Sequence, residues 1–339
     1  MSYNYIIIGA GLSGATLGYL LKKQGYKVLI IEKSNLKIKE KLCGGILTAK
    51  AYNLLIDLFN KEEIDGFLKN KFNNCKVISK YEVAIENIDI RIIDRKKLDY
   101  YIVQKYVEIG GELLQETLVN NIDFTNNQII CSNVKYEYKN LIAADGALSH
   151  TRQLLNGKPQ RKNFALETFA NKKLEELVIE FSDDFKGYNW IIPGKEETCI
   201  GTGDISMNTE ISEEFERITK KYDIVAESKR GAFLPTGDDI LLKENNVFFI
   251  GDAAGLISPI TGEGIYSALA SAKILANCIN ERKDYEQSMK KIIKKIKLEL
   301  KLSKIIYNIQ IRNSVFKILT KDSFISKEIK KFVVKLILT

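Results

Sequence analysis

The 339-residue sequence holds one histidine, His150, and one tryptophan, Trp190. A single histidine excludes multi-histidine metal centres and leaves little room for a Ser-His-Asp triad. The five cysteines (Cys43, Cys75, Cys131, Cys199 and Cys278) form no Cys-x-x-Cys pair. That excludes a zinc ribbon and argues against a cysteine-ligated iron–sulfur cluster, and in a reducing compartment free thiols are expected. Four prolines among 22 glycines and 45% hydrophobic residues do not describe a disordered or collagen-like chain. No stretch of 18 apolar residues is free of charge, which argues against a membrane-spanning helix. The N-terminal segment has neither a basic region nor a cleavage site, so no signal peptide and a cytoplasmic location are expected.

What is present is unevenly placed. The net charge is +8, yet residues 282–339 alone carry 16 lysines and arginines against 5 acids. The preceding chain is slightly acidic. In this tail Ile292, Ile293, Ile296 and Leu300, then Ile329, Phe332, Val333 and Leu336, recur at helical spacing with lysines between them. A basic amphipathic helix of this kind can lie on an anionic membrane surface, or it can pack on the body with its lysines solvated. Nucleic acid is not expected, because no zinc-finger spacing or RNP motif accompanies the charge.

The first forty residues read as a βαβ unit. An apolar strand, Tyr5 to Ile8, runs into Gly9-Ala10-Gly11-Leu12-Ser13-Gly14; a helix follows to Gln24; a second strand, Val28 to Ile31, ends at Glu32. This is G-x-G-x-x-G in its structural context. Gly9 permits the tight turn, Gly11 lets the backbone approach a pyrophosphate, Gly14 allows close helix–strand packing, and Ser13 lies in the same loop. Glu32 can accept both hydroxyls of an adenosine ribose and repels a 2′-phosphate, which favours FAD or NAD over NADP.

Three later segments extend the pattern. Arg91 to Asp99, including Arg95, leads into a helix closed by Gly110-Gly111. A strand ends in Ala143-Ala144-Asp145-Gly146, with Ser149 and Arg152 beyond it. A strand from Val247 to Ile250 enters Gly251-Asp252-Ala253-Ala254-Gly255, and Gly262-Glu263-Gly264-Ile265 opens a small-residue helix. Singly these read as an ordinary turn, a helix cap and a surface charge. Only one G-x-G-x-x-G is present, so a separate nicotinamide domain of the usual kind is not expected.

In this order the segments resemble FAD-dependent oxidoreductases of the glutathione reductase type, in the branch shared with aromatic hydroxylases. The resemblance implies that Arg95 approaches the FAD backbone and that Val119, on the strand after Gly111, contacts the adenine. It implies that Asp252 binds the ribityl–pyrophosphate region, and that Gly264 and Ile265 present main-chain N–H groups to the isoalloxazine. Asp145, Gly146 and Gly262 fall in the same cofactor-binding segments.

Two further stretches, Leu42-Cys43-Gly44-Gly45-Ile46 and Gly187-Tyr188-Asn189-Trp190-Ile191-Ile192-Pro193, resemble the geranylgeranyl reductase family, which saturates isoprenoid double bonds. The similarity departs at Ile46, where a third glycine is often found, and at Ile192, where phenylalanine is usual. It implies FAD reduced by NAD(P)H or a small electron carrier, and a prenyl lipid or other apolar substrate in a pocket lined by Tyr188, Trp190 and Pro193. Gly44 and Gly45 would bring a loop close to the flavin with Cys43 at its edge, as a proton donor, a redox group or inert packing. Flavin halogenases carry a related Trp-x-Trp-x-Ile-Pro stretch, so an FAD monooxygenase or halogenase acting on an aromatic substrate is the rival reading, and a flavin electron carrier or quinone reductase docking to a membrane is another.

The expected fold is α/β: a discontinuous Rossmann-type FAD-binding domain (1–70, 90–155 and 240–280), an inserted antiparallel β-sheet substrate domain (75–90 and 160–235) and a basic helical C-terminal segment (282–339). Residues 212–222 read as a helix with Ser212 as N-cap.

Overall fold

The computed structural model describes residues 2–38, 41–131, 133–205 and 210–337. In chain order, β1 (Ser2–Ile8), α1 (Leu12–Lys23) and β2 (Val28–Ile31) are followed by β3 (Ile46–Thr48), α2 (Ala49–Leu58) and α3 (Lys61–Gly66). Next come β4 (Leu68–Ile78), β5 (Glu82–Ile93), α4 (Arg95–Glu108) and the short strands β6 (Glu112–Leu114), β7 (Asn121–Asp123) and β8 (Gln128–Cys131). Then follow β9 (Val134–Ala143), α5 (His150–Asn156), β10 (Lys162–Ala170), β11 (Val178–Glu180), β12 (Gly187–Pro193), β13 (Thr198–Asp204) and α6 (Ile211–Lys221). The chain closes with β14 (Arg230–Pro235), β15 (Lys243–Glu244), β16 (Val247–Phe249), a 3-10 turn (Gly251–Ala254), α7 (Ile265–Glu281), α8 (Tyr285–Ile306), α9 (Ile309–Leu319) and α10 (Phe324–Ile337).

The chain divides into two compact units. The first comprises residues 1–41, 95–162 and 235–298; the second comprises 42–94, 163–234 and 299–339. Residues 42–70 therefore belong to the second unit, although the sequence places them with the dinucleotide domain. The reason is pairing: β3 joins β5 antiparallel, with Ile46 opposite Ile92. The tail from Glu299 onward also packs as part of the second unit.

In the first unit, strands β15-β16-β9-β1-β2-β6 form a sheet in that order, with β16, β9, β1, β2 and β6 mutually parallel. β1 and β2 are Ile- and Val-rich and almost wholly buried, as strands covered on both faces must be. Tyr106 of α4 locks the layer: its single hydroxyl proton is shared between the carbonyls of Val28 and Glu112, both at 2.9 Å.

In the second unit the order is β14-β10-β13-β12-β11-β4-β5-β3. Along β12 the side chains alternate. Tyr188, Trp190 and Ile192 point to one face; Asn189 and Ile191 point to the other. The second face is covered by α6, whose Ile218 packs with Ile191 and Ile200. The buried Asn189 amide donates to Glu214, accepts from Thr202, and so joins an ion-pair network of Glu214, Arg217, Glu180 and Lys221. The first face is apolar, and α9 supplies Phe316 and Leu319 to its core. Arg312 fastens α9 there: it is buried, pairs with Asp183 at 3.1 Å and donates to the Ser182 carbonyl and the Ser79 hydroxyl.

Helix α6 starts one residue earlier than its sequence suggests. Glu210 occupies the N-cap position without a side-chain cap bond, and Ser212 lies inside the first turn. The side chains of Val333, Lys335, Leu336 and Ile337 lie outside the described residues.

Candidate functional site

Within the first unit, the glycine loop is shaped by close approach. Gly9 has φ +103°, and a Cβ there would meet the Ala144 carbonyl oxygen at 2.3 Å. A Cβ on Gly14 would meet the Gly9 carbonyl oxygen at 2.0 Å. Gly11 differs: a Cβ there would meet nothing within 4 Å, and no side chain caps the N-terminus of α1. Open space over uncapped helical N–H groups is what a pyrophosphate requires, so these residues fit a dinucleotide. Glu32 is buried at the end of β2. Its carboxylate accepts the Ala10 N–H and the Ser34 N–H, each at 2.9 Å, which holds the acid against the glycine loop.

The fold gathers the later segments around this loop. Ser13 lies against Gly251, where a Cβ would meet its Oγ at 2.8 Å. Asp252 sits between Lys41, whose Nζ is 2.9 Å from its carboxylate, and Gly264, where a Cβ would meet Asp252 Oδ1 at 3.1 Å. Gly264 occupies the N-cap position of α7, directly before Ile265. Gly262 turns the chain with φ +66°. Arg95 is buried and bound to Asp99 through Nε and an Nη at 3.2 and 3.0 Å. The Asp252 carboxylate raises the Lys41 pKa, and the Arg95 charge opposes it, so these groups share one neighbourhood.

Two positions behave otherwise than expected. Val119 is buried but lies on no strand, because β6 ends at Leu114. Glu116, at φ 54°, redirects the chain, and the Thr117 N–H bonds back to the Glu32 carbonyl at 3.0 Å. Asp145 anchors α5: its carboxylate accepts from the Ser149 hydroxyl (2.6 Å) and from the N–H and hydroxyl of Thr151 (both 2.9 Å). Beside it Gly146, at φ +82°, has open space, since a Cβ there would meet nothing within 4 Å.

The second unit holds Cys43, Tyr188, Trp190 and Pro193. Tyr188 and Trp190 are ring neighbours, with centroids 5.7 Å apart at 50°. Phe181 is 6.2 Å from Tyr188, and Tyr307 is 6.0 Å from Phe181. Burial lifts the Tyr188 and Tyr307 hydroxyls well above the usual phenol range, so both are neutral. Pro193 ends β12 opposite Thr198, and its carbonyl accepts from the Asn70 amide at 3.1 Å. The loop Cys43-Gly44-Gly45 lies on this sheet. A Cβ on Gly44 would meet Ile192 Cδ1 at 2.3 Å and Cys199 Sγ at 3.6 Å; Gly45 has φ +76° and would strike the Ile93 carbonyl oxygen at 2.2 Å. Cys43 is half-buried, while the other four thiols are buried.

Sequence reasoning missed Glu167 and Cys199. Both project onto the same face as Trp190, since Glu167 and Trp190 each pair with Gly201 and Cys199 pairs with Ile192 and Phe169. The available signal was one acid inside the strand run Phe164-Ala-Leu-Glu-Thr-Phe-Ala. Among the described residues no group of three metal-ligating side chains is gathered, and no helix is long and apolar enough to cross a membrane.

Comparison with known proteins follows this geometry. Residues 7–36 match the NAD(P)-binding Rossmann-like domain. The chain is 26% identical over 305 residues to the geranylgeranyl diphosphate reductase of Rhodobacter capsulatus, covering 81% of this chain and 74% of that protein. The crystal structure of a geranylgeranyl bacteriochlorophyll reductase-like protein from Thermoplasma acidophilum has a TM-score of 0.78 at 19% identity, covering 99% of both chains. A probable FAD-dependent monooxygenase from Pseudomonas aeruginosa shares the fold at a TM-score of 0.73 and 16% identity, covering 94% of this chain and 100% of that one.

Proposed function

We propose that this homologue of the geranylgeranyl reductases is an FAD-dependent oxidoreductase that reduces carbon–carbon double bonds in a prenyl chain. The observation that carries the reading is the apolar face of the second unit. There Tyr188, Trp190 and Ile192 stand in a row beside the Cys43-Gly44-Gly45 loop, while the first unit offers an uncapped glycine loop suited to a dinucleotide.

When bound and reduced, FAD would supply the hydride for one alkene carbon, and a proton must reach the other. This chain's residues do the rest. Gly9, Gly11, Ser13 and Gly14 would admit the pyrophosphate, and Glu32 would take the ribose. Arg95 and Asp252 would hold the remainder of the cofactor backbone, with the N-terminus of α7 at Gly264 and Ile265 giving positive potential to the flavin. Tyr188 and Trp190 would wall the prenyl chain and exclude water, while Cys43 presents the least buried thiol of the chain. NAD(P)H or a small electron carrier would re-reduce the flavin.

The test uses the purified protein loaded with FAD, reduced with dithionite under nitrogen and mixed with geranylgeranyl diphosphate. A gain of hydrogen pairs by mass spectrometry is expected. Flavin that stays reduced with every prenyl compound rejects the reading. Rapid oxygen uptake with hydroxylation or halogenation of an aromatic compound would favour the monooxygenase alternative.

The C-terminal segment adds a peripheral role. On α10, Phe324, Ile325 and Phe332 are exposed among Lys327, Lys330 and Lys331. Exposed aromatic and aliphatic groups beside lysines suit the interface of an anionic bilayer, where a prenyl lipid resides.

A further inference from the structure

The apolar face of the second unit carries a carboxyl group for which the reading above has no use. Glu167 is 1% exposed on β10, among Ala165, Phe169, Trp190, Ile192 and Cys199. An acid in such a place is costly unless its partners hold it. Its partners join two separate pieces of chain. The Cys199 thiol donates to Oε2 at 3.6 Å, and the main-chain N–H of Cys43 faces the carboxyl. Oε1 finds no partner among the described residues. The indole N–H of Trp190 is turned toward the Cys199 sulfur without reaching hydrogen-bond geometry.

We propose that Glu167 is the positioning residue of this site: its carboxyl ties the Cys43-Gly44-Gly45 loop to Cys199 on the sheet and so fixes where the Cys43 thiol stands over the apolar face. The proposal rests on the reading that this face receives the prenyl chain. The glycines agree with it. Gly44 has no room for a side chain between the loop and Ile192, so the loop is pressed onto the sheet next to the carboxyl rather than arched over it.

The protonation state matters for the same geometry. Burial raises the Glu167 carboxyl to about 7, against the pull of Cys199, the Cys43 amide and, least, Arg230. Cys43, Cys199 and Arg230 are the titratable groups facing it from the loop, β13 and β14. From the covering helix α9 the charged group is Arg312, already paired with Asp183. Near neutral pH the carboxyl is therefore divided between its neutral and ionised forms, and at pH 6 the neutral acid, which brings a proton to the apolar face without a full charge, is the major one.

Two variants separate the roles. E167Q keeps the size and an oxygen acceptor but cannot ionise; E167L removes the acceptor. Amide hydrogen exchange at Cys43, and turnover of the FAD-loaded enzyme with geranylgeranyl diphosphate, are followed from pH 6 to 8. E167L is expected to speed Cys43 exchange roughly tenfold and lower kcat, while amides of β10 and β13 keep their rates. E167Q is expected to restore protection and kcat at pH 6, but without the wild-type inflection near pH 7. Loss of protection throughout the sheet in both variants, or unchanged Cys43 exchange in E167L, overturns the proposal. If the exchange pattern holds but wild type reduces no prenyl substrate, the anchoring stands and the substrate reading falls.

Discussion

The indole of Trp190 is packed against the Cα of Gly201 on the neighbouring strand. A Cβ at position 201 would stand 2.3 Å from Trp190 Cζ2 and 2.4 Å from Cε2. The ring can therefore lean toward β10 only because the strand beneath it has no side chain there. G201A should displace the indole and cost stability in the range of overpacked cores, about 1–3 kcal/mol. W190A should cost about 3–5 kcal/mol through the cavity it leaves. Urea unfolding checks both, and a milder effect of G201A combined with W190A than their sum would show that the two share one contact.

Two glycines of the first loop should separate folding from binding. G14A has no space, since its Cβ would meet the Gly9 carbonyl oxygen at 2.0 Å, and it should lower thermal stability. G11A meets nothing and should melt like wild type, yet its methyl group enters the space a pyrophosphate needs. Bound flavin per chain, read from the absorbance ratio at 450 and 280 nm, should fall sharply in G11A.

Stability should depend on pH through Glu167. Its carboxyl rises from about 4.5 to about 7 on folding, so between these values the native state binds more protons than the unfolded chain. Stability is then greatest below the unfolded value and falls as pH rises toward 7, by an amount on the order of 3 kcal/mol. Tm measured from pH 4.5 to 7.5 should fall more steeply in wild type than in E167Q. Parallel curves would mean the carboxyl is not strained by burial.

Membrane contact is best tested at the surface. A chain ending near Arg282 would lose Phe316 and Leu319 from the core, so its failure to bind vesicles would mean little. Replacing Phe324, Ile325 and Phe332 by serine should leave the fold intact and reduce co-sedimentation with anionic phosphatidylglycerol vesicles several-fold. Retention equal to wild type would remove the helix from any membrane role.

Much of this arrangement was legible in the sequence, for reasons that differ by residue. Gly9, Gly11, Gly14 and Glu32 were readable because the βαβ unit is local: turn, cap and acid lie within about thirty residues. The alternation that puts Tyr188 and Trp190 on one face follows from strand period alone. Glu167 and Cys199 were not readable, since their meeting depends on the register of β10 against β13, a non-local pairing. Val119 was misplaced for a similar reason. Nothing in its own residues reveals that Glu116 turns backward and ends the strand early. The assignment of residues 42–70 turned on the antiparallel pairing of β3 with β5, again a long-range choice.

The two closing helices face different surroundings. α9 plugs the apolar face with Phe316 and Leu319, and α10, immediately after it, adds Ile329 and Val334 to that core while exposing Phe324, Ile325 and Phe332 beside its lysines. A displacement of this hairpin that enlarged the interior space would thereby alter the outward footprint as well. If this face receives a hydrocarbon guest, as proposed above, a change in α9 that altered the room for it would also move the side chains that α10 turns outward.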